Sequence, residues 1–87
     1  MKIVEHFVTN EEGIHAQPAM VLVHTAKKYS SDIFLWKNDK SADMKNMFEV
    51  VGLCVQQNTP IRIEITGDDE EIAAEEFIRL IADNSLG

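Results

Sequence analysis

The chain has a single cysteine, Cys54, so it can form no internal disulfide, and a reducing compartment is expected. Basic residues are scarce: 8 Lys and Arg against 15 Asp and Glu leave a formal charge of -7. That balance excludes nucleic acid as a partner, since phosphate backbones are held by basic surfaces. It also argues against binding anionic lipid. No apolar run approaches the length of a membrane span, and the first residues alternate instead of forming the apolar core of a signal peptide. A cytoplasmic protein with no direct membrane insertion is expected. Linkers and low-complexity stretches are lacking too. What is present suits a folded chain: 87 residues, 45% hydrophobic, enough for one domain spanning 1–87 around one modest core.

The stretch that organises the rest is Gly13-Ile14-His15-Ala16-Gln17-Pro18-Ala19. Gly13 lets the chain bend with either sign of φ. Pro18 falls in a first helical turn, where its missing N–H costs little. From Ala19 onward, Ala19, Leu22, Val23 and Ala26 recur at the spacing of an amphipathic helix, predicted to run to about Tyr29. His15 then sits at the N-cap or beside it. The first amides of a helix have no intrahelical acceptor, and the macrodipole makes that end an anion site. A neutral imidazole beside such a site can act as a nucleophile. The combination suggests a histidine that accepts and donates a phosphoryl group, while the spacing alone is equally met, and more often, by a surface histidine near a helix start.

The remaining elements follow from periodicity. Ile3–Val8 reads as a strand, with Val4, His6 and Val8 on one face and Ile3 and Phe7 on the other. His6 reads as a packed or edge histidine, and His24 as a solvated helix residue. Met20 shares a line with Ala16 and His24 beside the core stripe and is expected at least half exposed, on the His15 side. Asp32–Lys37 is a second strand, with Ile33 and Leu35 opposite Phe34 and Trp36. Asn38-Asp39 is a hairpin connection to a short polar edge strand, Lys40–Asp43. Asn46 is a candidate N-cap for a short helix from Met47 to about Leu53. Met47, Val50, Val51 and Cys54 form its buried stripe, and Phe48 lies off it. Gln56–Pro60 is a loop, and Ile61, Ile63 and Ile65 alternate in the clearest strand. Asp68-Asp69-Glu70-Glu71 opens the last helix, where carboxylates suit the dipole. Ala73, Phe77, Leu80 and Ile81 face the core, and the helix frays near Asn84–Gly87. The order predicts an α+β fold with the helices over one sheet face and two possible split βαβ units.

With its length, element order and later Met44-Lys45-Asn46-Met47-Phe48 segment, the heptapeptide resembles the active-site motif of the HPr family, histidine phosphocarriers of the bacterial sugar phosphotransferase system. The resemblance covers nearly the whole chain. It implies an open-faced β-sandwich of four antiparallel strands with three helices on one face, βαββαβα, and with the first and last strands central. It implies that His15 takes phosphate through Nδ1 from phosphorylated enzyme I and passes it to enzyme IIA domains in sugar uptake. The amides of Ala16 and Gln17 would hold the phosphoryl oxygens. Met20, Val21, Met47, Phe48 and Val51 match the family's partner-docking patch. No cofactor or metal is implied, nor turnover of a substrate of its own. The family is generally monomeric. A zinc site from His6, His15 and His24 has no motif spacing behind it.

Four positions depart from the family pattern. Gln17 stands where an arginine is usual, and Glu12 where a small polar residue is common. Loss of a cation and gain of a carboxylate beside a dianion both predict a less stable phosphohistidine. Asn46 replaces a serine that a regulatory kinase phosphorylates in many relatives, so that switch is absent here. Glu49, where a small residue is frequent, adds charge beside the docking patch. Glu12, Gln17 and Asn46 keep a second function open: a non-carrier regulatory paralogue acting by protein–protein binding.

Overall fold

Alternating side chains build the sheet. In the computed structural model, which describes residues 1–84 and Leu86, β1 (Lys2–Val8) buries Val4 and Val8 and exposes Ile3 and Phe7. His6 lies half-buried on the valine face, and that burial lowers its pKa. After β1 come α1 (Ala16–Ala26), β2 (Asp32–Lys37), β3 (Lys40–Asp43), α2 (Met47–Gly52), β4 (Thr59–Thr66) and α3 (Glu70–Ala82). The predicted βαββαβα order stands. All three strand pairs are antiparallel, and the three helices cover one face of the open sheet. Ile33 and Leu35 of β2 and Ile61, Ile63 and Ile65 of β4 meet Leu22, Val50 and Phe77 of the helices in one core.

The strand order is β1-β4-β2-β3. β3 is an edge strand, as its polar sequence predicts. β1 is the other edge strand, which corrects the expectation that the first and last strands are both central. The isoleucine-rich β4 is central, beside β2, and Ile61, Ile63 and Ile65 are all buried there. Predicted loop residues Thr59 and Pro60 belong to β4. Pro60 is tolerated because β2 pairs with β4 only from Thr66 to Arg62, leaving Pro60 with a single neighbouring strand, β1.

Three element ends also differ from expectation. α1 stops at Ala26, and Lys27–Tyr29 tighten into a turn in which Lys28 N–H and Tyr29 N–H donate to carbonyls three residues back. In α2 only Val50 is fully buried. Met47 is half-buried and Val51 is exposed, since a six-residue helix turns too few times to sustain a stripe. Cys54, expected in the core, is exposed with φ +54: Leu53 takes the inward position and the chain turns outward after it. α3 starts at Glu70 with Asp69 at its N-cap, and Glu70 and Glu71 occupy the first turn. Ala73 and Phe77 are buried as predicted, while Leu80 and Ile81 pack at the core's margin. Of the stretch expected to fray, Leu86 is buried, and Ser85 and Gly87 lie outside the described residues.

Candidate functional site

His15 is the N-cap of α1, with extended backbone (φ -84, ψ -165) and no side-chain capping bond. The chain is pinned on both sides of it. Upstream, Ile14 is buried and its N–H donates to Val55 O at 2.9 Å. Downstream, Pro18 and Ala19 are buried, and Ala19 N–H donates to His15 O at 3.0 Å to start the helical ladder. Between these anchors the imidazole is about one-third exposed. Among the described residues, the amides of Ala16 and Gln17 have no acceptor, and Pro18 contributes no donor. Two unpaired N–H groups at a helix N-terminus, beside an accessible imidazole, are an arrangement able to receive an anion next to a nucleophilic nitrogen.

Gly13 makes the entry possible. Its φ is +65, and a Cβ there would lie 2.1 Å from Val55 O. Only glycine combines that conformation with that approach. Asn10, in the stretch just before Gly13, holds the turn. Its Oδ1 accepts from Glu12 N–H at 2.7 Å, and its Nδ2 donates to Gly13 O at 2.8 Å and Leu86 O at 3.1 Å. An Asn directly before an acidic pair and a Gly is an Asx-turn signal, and it is the available clue. The Val55 contact had no local signal, because it joins the segment after α2 to the loop before α1.

Glu12 reaches the ring itself: its Oε2 lies 3.1 Å from His15 Nε2. The carboxylate expected to crowd a phosphoryl group is therefore turned toward an imidazole nitrogen. Gln17 is exposed at the first turn, and its side chain has no hydrogen bond to another described residue.

The predicted patch residues are brought together in part. Met20 of α1 and Met47 of α2 line one shallow groove of about 280 Å³ with Val23, His24 and Lys27. Phe48 is 91% exposed, which solvent alone does not favour for so large an apolar side chain. Val51, three residues further along α2, is exposed, whereas Val21 packs against the core. Asn46 caps α2, its side chain accepting from Glu49 N–H at 3.2 Å, and Glu49 Oε1 in turn accepts from Asp43 N–H at 3.0 Å. Lys37 Nζ donates to Leu53 O at 2.8 Å, closing the other end of α2.

A four-stranded antiparallel sheet, covered on one face by three helices and carrying a histidine at a helix N-cap, defines an open-faced α+β sandwich with an accessible N-cap histidine. The family profile described as "PTS HPr component phosphorylation site" matches residues 4–83. The chain is 38% identical over 74 residues to the phosphocarrier protein HPr of Buchnera aphidicola subsp. Baizongia pistaciae, covering 85% of this chain and 87% of that protein. The solved structure of the histidine-containing phosphocarrier protein of Mycoplasma superposes with a TM-score of 0.92 at 29% identity, covering 98% of this chain and 97% of the other. An HPr dimer from Thermoanaerobacter tengcongensis matches at 36% identity and a TM-score of 0.75, covering 100% and 99%. The chain belongs to the HPr family, the phosphocarriers of the phosphotransferase system.

Proposed function

We propose that this chain, as one domain over 1–87, accepts a phosphoryl group on His15 from phosphorylated enzyme I and donates it to enzyme IIA domains in sugar uptake. The lone pair of His15 Nδ1 attacks the phosphorus of the donor phosphohistidine. The donor N–P bond breaks as the new one forms, and its electron pair returns to the donor imidazole. The amides of Ala16 and Gln17 hold the phosphoryl oxygens, so the chain supplies position and charge complementarity and no turnover of its own. Onward transfer is the same displacement with roles exchanged. The observation that carries the reading is the accessible imidazole next to two amides without acceptors among the described residues. The regulatory alternative keeps the same docking surface but gives no role to that pairing.

Docking would use Met20, Met47, Phe48 and Val51, with Val21 behind them, a surface continuous with α1 and α2. No helix among the described residues is long and apolar enough to cross a membrane. A cytoplasmic monomer suits the role, and sedimentation of the purified chain checks the oligomeric state against the dimeric relative. The decisive assay is incubation with enzyme I, magnesium and phosphoenolpyruvate. Acid-labile phosphate on His15 is expected. No label, with a control carrier labelled normally, overturns the carrier reading.

A further inference from the structure

We propose that Glu12 is a positioning residue for His15, its carboxylate, held within ion-pair reach of Nε2, favouring the tautomer that carries its proton there and leaves Nδ1 bare. The inference rests on the carrier reading for its consequence, but its geometry stands apart. Glu12 Oε2 is 3.1 Å from Nε2, and among the described residues Nδ1 has no hydrogen-bond or ion-pair partner. A neutral imidazole carries its proton on one nitrogen and its lone pair on the other, so whatever takes the proton selects the nucleophile. As the N-cap residue, His15 makes no capping bond of its own that could orient the ring. Glu12 is itself held, its N–H donating to Asn10 Oδ1 at 2.7 Å just before the Gly13 turn. When Nδ1 forms its bond to phosphorus, the ring becomes cationic with the proton still on Nε2. The carboxylate then faces that charge, and when the N–P bond breaks in onward transfer the ring returns to the same neutral tautomer. Glu12 thus acts on the side of the ring away from the attacking nitrogen, which the expectation of simple repulsion overlooks.

The test reads the ring nitrogens by ¹⁵N NMR of histidine-labelled protein in alkaline buffer. In Glu12→Ala the minor Nδ1–H tautomer should rise about threefold, as suits an exposed contact. Glu12→Gln keeps the side chain's length without its charge and should raise it about as much. Both variants lose the charge, so both should be phosphorylated by enzyme I about threefold more slowly, again on the scale of an exposed pair. Unchanged ¹⁵N shifts in Glu12→Ala, or undiminished transfer in both variants, overturns the proposal. A tautomer shift in a protein that takes no phosphate in any form, wild type included, overturns the carrier reading and leaves Glu12 as the ring's positioning residue.

Discussion

At Gly13 the backbone has no room for a side chain, and the consequence reaches His15. A methyl group there would collide with Val55 O and Gln56 Cα and would also have to hold φ +65. Gly13→Ala should lower stability by about 1–3 kcal/mol, the scale of a strained backbone position, measured by denaturant unfolding. The same variant should slow phosphorylation, because the Ile14–Val55 bond that locates the ring is displaced. Gln17 is a different case, exposed and replaceable. Gln17→Arg adds a charged donor at the first turn, worth roughly 1 kcal/mol more than a neutral one, so the phosphorylated form should live about fivefold longer. An unchanged or shorter lifetime, followed by the decay of acid-labile phosphate, would refute this account of Gln17. At this scale the sequence is legible where a residue's role is local: Gly13, His15 and Pro18 announce a turn, a cap and a first helical turn. Asn10 was only half legible. Its Asx bonds are local, but its bond to Leu86 O joins residues from opposite ends of the chain.

Elements were read best where periodicity is long and worst at their ends. β4 and α3 were recognised from strong repeats, whereas α2 is too short for a stripe to predict its own burial. Cys54 was assigned inward by spacing alone, and the left-handed turn that ends α2 placed it outside. The start of α3 shows a tertiary cause behind a local pattern. Asp69 sits at the N-cap, yet its carboxylate does not cap the helix. It accepts from Ser30 N–H at 2.8 Å and Ser31 N–H at 3.0 Å, and from the Ser31 hydroxyl, tying the α1–β2 connection to α3. Those donors, the Ser31 hydroxyl first, hold the Asp69 pKa down at about 2, against an ordinary value of 3.8. A carboxylate whose pKa is depressed in the folded state contributes stability above its unfolded pKa and loses it as pH falls through the folded value. Asp69→Asn should therefore lower Tm at neutral pH. The loss of Tm between about pH 4 and pH 2 should be shallower in the variant than in the wild type, read by circular dichroism. Parallel acid profiles for the two proteins would show that these bonds contribute nothing to folding. Glu70 and Glu76 are also depressed, by the N-terminal amine and by Lys28 respectively as first causes, so the difference between the two profiles carries the information.

For the molecule as a whole, the order of strands was the least legible feature, because alternation gives a strand's faces and not its neighbours. What decided it is how much apolar surface each strand offers: β4 supplies three buried isoleucines and becomes central, while β1 keeps Ile3 and Phe7 in solvent at an edge. The folded chain also sets apart the side chains that hold it together from those it leaves in solvent. Phe77 is wholly buried and Phe48 is 91% exposed, although both are phenylalanines on helices of the same layer. Phe77→Ala should cost about 3–5 kcal/mol of stability, the range for emptying an aromatic site in a core. Phe48→Ala should leave stability within about 0.5 kcal/mol, since an exposed side chain loses little on truncation. If Phe48 anchors a partner, its truncation should instead weaken docking by about 2 kcal/mol, roughly thirtyfold in Kd, as hot-spot aromatics do. Titration calorimetry with an enzyme IIA domain, paired with thermal unfolding of the same sample, measures both quantities. Undiminished affinity in Phe48→Ala would take this residue out of the docking patch and leave the groove between Met20 and Met47 to carry it. A large loss of stability would mean that Phe48 supports α2 itself, which its exposure contradicts.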